Sequence, residues 1–552
     1  MISEPAGLTQ SKLVANLCWS KAQHMLFQRR IFLKQLGLGV SGLGLISSFP
    51  AVASARSLSG SKLPRSTPEA QGVHSESVIN FLHAIEGSKH EFHSFMMLRH
   101  GHVIAEGWWS PYRAALNHML YSLSKSFTSS AVGLARAEGK LTVEDPVVSF
   151  FPDKLPAEIS ENLRALKIKH LLTMSVGHAQ DSTPSITKEE DWVRTFLALP
   201  IANSPGTAFL YNSGATYMLS AIVQKVTGEK VIDFLRPRLF GPLGIRGMTW
   251  ETCPRGVNTG GWGLSVPSEA LARFGQMYLQ KGSWHGRAVL PASWVEEATS
   301  FKIQQPGADL EKLKQESDWH QGYCYQFWRC RHDAFRGDGA FGQYTVVMPD
   351  RDAVIAITSE SSSMQGQMNL IWEHLWPGMQ QGTLPPDRRK ASELTEKLSA
   401  LTLPPPKHQV SCATASQVTN KVFTLESNSL GVSSAEFRFS EHDCVFRLTD
   451  SHGTYPIRCG LETWQTGSTT MPGTPPKLTK NTATTESKIA ASGTWKDAQT
   501  FQMTWRFVET PHHDTVTCHF DGDRLKIEFL NSVTQLSPSH KETRPALIGK
   551  VV

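Results

Sequence analysis

The stretch Tyr121–Ser130, YSLSKSFTSS, sets Ser122 three residues ahead of Lys125 at the head of an apolar helical pattern. A serine hydroxyl is a weak nucleophile until a neighbouring group takes its proton. A lysine one helical turn on returns to the same face, within reach of the serine oxygen. Packed among apolar neighbours, its ammonium loses solvation and its pKa falls toward that of a usable base. The helix N-terminus adds unpaired N–H groups and the positive end of the dipole, both suited to a developing oxyanion. The spacing alone carries little, because Ser59–Lys62 and Ser185–Lys188 repeat it. Neither of those opens a long apolar helix, whereas Phe127, Ala131, Leu134 and Ala135 follow Ser122 at helical spacing.

Two further segments supply what a Ser–Lys pair lacks. PGTAFLYNSGATYMLSAIVQKVTG (205–228) places Tyr211-Asn212-Ser213 after a Pro-Gly turn, at the head of a second helical pattern. A tyrosine hydroxyl beside a lysine can accept and return a proton. FRGDGAFGQYTVVMP (335–349) puts a glycine-dense turn before a strand pattern, and glycines let the backbone and its N–H groups approach a ligand. A nucleophile, a Lys–Tyr pair and a second oxyanion donor together meet the needs of acyl transfer. Trp262 in GGWGL (260–264) and Phe341 are candidates to line the pocket, with core packing the even alternative. His178 in TMSVGHAQ and Gln343 are weaker candidates for substrate contact.

Elements that could hold these residues are legible on both sides. FHSFMMLRHGHVIAEGWW (92–109) carries two apolar runs around a turn, the pattern of a β-hairpin. Helical patterns follow at 122–138, 160–176, 189–199, 213–227, 230–240 and 267–281. Strand patterns return at 322–330, 343–349 and 352–359, and a helix at 364–376 closes the unit. Strands at both ends with helices between imply an α/β unit over 56–384: one antiparallel sheet built from both termini, plus an inserted helical subdomain. A charged, proline-flanked helix at 385–409 reads as a linker. Residues 410–552 hold short alternating runs between turn residues, the pattern of a small C-terminal antiparallel β domain.

Residues 1–55 read as an address. Arg29-Arg30 precede Phe32-Leu33-Lys34 and a glycine-rich, moderately apolar run, and Ala53-Ser54-Ala55 fits a cleavage site. The pattern resembles a twin-arginine export signal, with Met25 an alternative start. It implies a bacterial precursor handled by the twin-arginine export machinery and a periplasmic or secreted mature chain. The apolar run is too short and glycine-broken for a stable membrane span, so the mature form is expected to need no membrane. Most of the formal charge of +6 lies in this segment, and nothing marks a nucleic-acid partner. Beyond it stand seven cysteines with no C-x-x-C pair, and Cys324 and Cys330 are expected to pack on one strand face. His90-Glu91-Phe92-His93 and His512-His513 lack metal-ligand spacing, so no metal or cofactor is expected.

The order and separation of Ser122-Leu123-Ser124-Lys125, Tyr211-Asn212-Ser213 and Gly337-Asp338-Gly339 resemble the serine β-lactamase and penicillin-binding superfamily. The likeness is to its class C branch, with D,D-peptidase and esterase relatives. RGDGAFGQY is most similar to the 6-aminohexanoate-oligomer hydrolases of that branch, and LPRSTPEAQGV, LRHGHVIAEGWW and GGWGL add to the likeness over about 64–380. The resemblance implies a β-lactamase-like fold, with Ser122 as nucleophile, Lys125 as its activating partner and Tyr211 as general base and later acid. It implies an oxyanion hole from the N–H groups of Ser122 and Ala340, with Ser213 and Gly339 facing the substrate. Two departures stand out. Ser213 replaces a frequent Asn, and Gly337 replaces a frequent Lys or His. A cation at 337 would hold the carboxylate of a β-lactam or a D-Ala-D-Ala peptide, so its loss points to a small ester or amide without that carboxylate. Arg336 would compensate if its side chain turned inward. A D,D-peptidase or β-lactamase, and a non-catalytic binder on the same fold, are the alternatives.

Overall fold

The computed structural model describes residues 63–476, 486–537 and 540–551, so the export-signal expectation for residues 1–55 lies outside them. The chain divides into units at Leu58/Ser59, and the description concerns Ser59–Val552. Among the described residues, no helix is long and apolar enough to cross a membrane.

The apolar face of α1 (Ser75–Glu86) buries Phe81 and Leu82 in one cluster with Phe95 and Met97 of β1 (Glu91–Arg99). β1 turns at His100-Gly101 into β2 (His102–Trp108), giving the expected hairpin. Then come α2 (Ser124–Ala137), α3 (Ser213–Thr227) and α4 (Glu269–Leu279), with shorter helices between. The sheet resumes with β3 (Trp328–Arg329), β4 (Phe335–Gly339), β5 (Gln343–Met348) and β6 (Ala353–Glu360). Its order is β2-β1-β6-β5-β4-β3, antiparallel throughout, so the first and last segments of the unit pair at its centre. Alternate side chains feed two cores. Met96, Leu98, Val354 and Ala356 join the inserted helices, while Phe95, Met97, Ile355 and Ile357 face α1. Gly275 lets α4 lie close on the sheet, since a Cβ there would meet Thr345 and Val354 at 2.6 Å.

Three sequence expectations are corrected. The segment 322–330 is a strand only at Trp328–Arg329, because Gln326 takes φ 66° and breaks the run; Cys324 and Cys330 are buried but share no strand face. Residues 160–176 form two short helices, Glu161–Ala165 and Ile168–Leu172, not one. The supposed linker contains α5 (Arg388–Ser399), whose Leu394 is buried in the α1 core and whose Lys397 pairs with Glu86 at 2.8 Å. It packs on α1 as a layer of this unit.

The C-terminal runs form β7 (Val422–Leu425), β8 (Ser434–Phe439), β9 (Asp443–Thr449), β10 (Thr454–Leu461) and β11 (Gln465–Thr469). β12 (Ser487–Trp495), β13 (Thr500–Phe507), β14 (His513–Asp521), β15 (Arg524–Asn531), α6 (Ser532–Leu536) and β16 (Leu547–Val551) follow. Among the described residues the sheet runs β10-β9-β8-β7-β16-β15-β14-β13-β12-β11. A parallel seam between β10 and β12, Gly460 opposite Ser492 and Leu461 opposite Gly493, closes it into a barrel. Closure removes the open edges that an antiparallel sheet would expose. Phe423, Phe437, Phe446, Trp495, Met503, Trp505 and Phe520 pack in the barrel core.

The barrel docks on the six-stranded sheet through charge. Arg506 of β13 forms a two-pronged pair with Glu91 of β1, and Tyr112 donates to the Thr510 carbonyl at 3.1 Å. Burial would raise the Glu91 carboxyl, but Arg506 and His93 hold it well below its ordinary value. Glu91, Glu360 and His513 bring three ligand-type atoms within 4.8 Å of one another. The set does not suit a metal ion: Arg506 already neutralises Glu91, and His512, His513 and Ser532 occupy Glu360. Replacing Arg506 by Met leaves Glu91 at the interface without its cation. Arg506→Met is expected to lower the free energy of unfolding by about 3 kcal/mol, read from urea denaturation.

Candidate active site

Ser122 lies in a 3₁₀ turn, Tyr121–Leu123, that feeds directly into α2. The serine-rich start is not a solvated surface. Residues 124–135 are buried, and their hydroxyls are used internally: Ser124 donates to the Tyr121 carbonyl at 2.6 Å, Ser126 to the Gln326 carbonyl at 2.9 Å. Small side chains at these positions let α2 run through the middle of the domain; a Cβ on Gly133 would strike the Trp294 ring at 2.5 Å.

Lys125 is only 2% exposed. Its Nζ donates to Ser122 Oγ at 3.0 Å, to Ser213 Oγ at 2.9 Å and to the Gly261 carbonyl at 2.7 Å. Three partners come from three segments. α3 brings Ser213 because Asn212 caps that helix, its Oδ1 accepting from Ala215 N–H at 3.3 Å and Ser182 Oγ–H at 2.7 Å. The Gly260-Gly261 turn presses onto α3, where added Cβ atoms would lie 2.8 Å from Ser220 Cβ and 2.9 Å from the Ser213 carbonyl. Burial pushes the Lys125 ammonium down to about 7, although Asp181 and Asp338 pull it up. An amine poised there exchanges a proton readily at neutral pH.

Tyr211 reaches the same oxygen. Burial raises its phenol above the ordinary value, opposed by a hydrogen bond with Ser122. Lys125 Nζ sits over the Tyr211 ring, 4.8 Å from its centre, rather than at its hydroxyl. Tyr211 and Lys125 thus both bear on the Ser122 hydroxyl, the phenol through that hydrogen bond and the amine at 3.0 Å. Tyr211, stacked on Trp328 at 5.6 Å, remains placed to share and return a proton through the serine oxygen.

β4 closes the other side. A Cβ on Gly339 would sit 2.1 Å from the Leu120 carbonyl and one on Gly337 3.0 Å from Ser126 Oγ, so the glycines let β4 run against the nucleophile turn. Ala340 follows beside it. Gln343 is fully buried; its amide donates to the Ala340 carbonyl at 2.9 Å and the Ser359 carbonyl at 2.8 Å, holding the turn rather than facing substrate. Arg336 does turn inward, but its Nε donates to Asp338 Oδ2 at 2.8 Å and its guanidinium lies 4.2 Å over the Trp319 ring. Burial raises the Asp338 carboxyl despite that arginine. Lys125 spends its donors on Ser122, Ser213 and Gly261, and Arg336 is fully buried, its Nη2 without a hydrogen-bond partner among the described residues.

His178 and Trp262 are both buried and packed. His178 is 5% exposed, meets Asn212 Nδ2 at 3.0 Å and lies edge-on to Phe196; burial lowers its imidazole to about 4. Trp262 stacks on Trp192 in the helical core. Phe341 packs on Tyr121 beside the oxyanion turn. Asp181 was not singled out from the sequence. Its Oδ1 accepts from Ser213 N–H at 3.2 Å and from Thr183 Oγ1 at 2.8 Å, at the head of α3 beside the lysine. Asp-Ser-Thr reads locally as an ordinary helix start, so nothing in the sequence marked it.

A hydroxyl bonded to a buried, near-neutral amine, with a glycine-lined strand alongside, defines a serine hydrolase. The Beta-lactamase family model matches residues 93–374, just over half of the chain, and the chain belongs to that family. It is similar to the 6-aminohexanoate-dimer hydrolase of Paenarthrobacter ureafaciens, 25% identical over 314 residues that cover 53% of this chain and 76% of that one. It is also similar to lovastatin esterase of Penicillium rubens, 29% identical over 159 residues, 24% of this chain and 39% of that one. The octameric penicillin-binding protein homologue from Pyrococcus abyssi aligns in structure with a TM-score of 0.44 at 15% identity, covering 86% of this chain and 99% of that one.

With Lys125 as base, the reactive form is the deprotonated amine. Activity on a neutral ester should therefore fall below a pH of about 7 and level off above it. The kcat/KM profile for a p-nitrophenyl ester should show that single limb. Lys125→Arg, which stays protonated, should lose the limb together with most of the activity.

Proposed function

We propose that this protein is an exported serine hydrolase that cleaves a small ester or amide through an acyl-enzyme on Ser122. The observation that carries the reading is the 3.0 Å contact between Lys125 Nζ and Ser122 Oγ, within a pocket that depresses the lysine. Lys125 takes the hydroxyl proton as Ser122 Oγ attacks the substrate carbonyl carbon. The oxyanion of the tetrahedral intermediate is met by the N–H groups of Ser122 and Ala340. Collapse breaks the bond to the leaving alcohol or amine, which takes its proton from the Lys125 ammonium, with the Tyr211 hydroxyl hydrogen-bonded to the same serine oxygen. Water then attacks the acyl ester, gives its proton to the same base and frees Ser122.

The substrate class follows from charge. Gly337 stands where a carboxylate-binding cation would be needed, and Arg336 is fully buried with its Nε on Asp338. The names of two relatives, a dimer hydrolase and an esterase, accord with amide or ester cleavage. Export rests on the Arg29-Arg30 leader pattern and Ala53-Ser54-Ala55, which together support a periplasmic or secreted chain.

A fluorophosphonate probe should label the wild-type protein and leave Ser122→Ala unlabelled, with p-nitrophenyl ester turnover reduced by about four orders of magnitude or more. Nitrocefin turnover should be negligible. Fast nitrocefin hydrolysis, or a slowly released fluorescent-penicillin adduct, would instead select the cell-wall reading. Absence of any labelling, with Ser122→Ala indistinguishable in every assay, would leave a binding protein.

A further inference from the structure

The nucleophile is braced by the barrel. Tyr121, just before Ser122, takes φ 47°, and Phe341, just after Ala340, takes φ 67°. Side chains other than glycine rarely occupy this left-handed region. Such backbone persists where its surroundings over-determine it, and here both residues meet one side chain from the C-terminal domain. The His512 ring, at the entry to β14, lies edge-on to Phe341 at 4.9 Å and to Tyr121 at 5.7 Å, while those two rings stand 5.6 Å apart.

Hydrogen bonds lock the imidazole. His512 Nε2 is 2.5 Å from Tyr121 Oη, and Nδ1 is 2.7 Å from Glu360 Oε1 at the end of β6. Glu360 is shared by the Ser532 hydroxyl of α6 at 2.5 Å and by His513 Nδ1 at 3.0 Å. Burial would raise the Glu360 carboxyl, but the two histidines hold it at about 2. A carboxylate at Nδ1 keeps that nitrogen protonated, so in the neutral ring Nε2 accepts the Tyr121 hydroxyl. His512, Glu360 and Tyr121 are all buried, and Val533 of α6 packs with Tyr121, Phe341 and Met119 in one apolar cluster.

We propose that His512 is a positioning residue for the acyl-transfer reaction. Through Tyr121 it sets the turn that carries Ser122, and through Phe341 it sets the turn that carries the Ala340 N–H. The barrel thereby fixes both halves of the oxyanion site without touching the reacting atoms. The inference rests on the acyl-enzyme reading of Ser122.

Tyr121→Phe removes one hydroxyl and keeps the ring, and His512→Gln removes the imidazole. Each folded variant should lose about 10- to 100-fold in kcat on a p-nitrophenyl ester and in its rate of fluorophosphonate labelling, with KM within about 2-fold of wild type. Because both changes cut one link, the double variant should lose no more than the worse single one. If His512→Gln does not fold, as judged by thermal unfolding, Tyr121→Phe decides alone. Tyr121→Phe with wild-type kcat overturns the inference, as do losses confined to KM or losses that multiply in the double variant. Failure of the wild-type protein to label at all would strike the acyl-enzyme reading instead, so the two failures are distinguishable.

Discussion

Burial of one ammonium group organises the catalytic unit. Lys125 gives up hydration for three oxygens, and each oxygen belongs to a different part of the chain: the turn before α2, the head of α3 and the Gly260-Gly261 loop. An ammonium removed from water is costly unless its donors are satisfied, and even then its charged form is disfavoured. The same desolvation that makes the lysine expensive pushes its ammonium down to about 7. The helical insertion can be understood from this requirement. Its helices must deliver Ser213 and a backbone carbonyl to one point, and the sheet must bring a glycine strand to the other side.

The C-terminal barrel answers a different requirement. Two non-glycine residues in left-handed conformation flank the nucleophile and the oxyanion turn, and a single-layer contact on the catalytic sheet would not pin both. The barrel meets the sheet through Arg506 on Glu91 and through the His512–Glu360 contact, with apolar residues of α6 between the rings. Polar ties of this kind are directional, so they select one docking geometry where apolar packing alone would tolerate several.

Local pattern carried much of this. The hairpin at 91–108, the helices headed by Ser122 and Ser213, and the strands at 343–360 follow from periodicity and turn residues that act over a few positions. The Ser122–Lys125 contact was legible because three residues in a helix bring side chains together regardless of the rest of the fold. Errors arose where long-range packing decides. Trp328–Arg329 alone survives of the 322–330 run, since Gln326 turns to bond Thr216 and the carbonyls of Leu171 and Leu172. Trp262, His178 and Gln343 are polar or aromatic side chains near glycines, a pattern that suits a pocket lining and a packed core alike. Glu360 and His512 could not be paired in advance, because 152 positions separate them.

The barrel ring is sewn shut late in the chain. Strand Leu547–Val551 lies between β7 and β15, so Phe423 finds its neighbour Val551 only across a very long loop. Contacts of such sequence separation form slowly and after local structure. The strand that His512 leads into stands two places along the ring from Leu547–Val551, so the half of the barrel that closes late is also the half that holds Glu360.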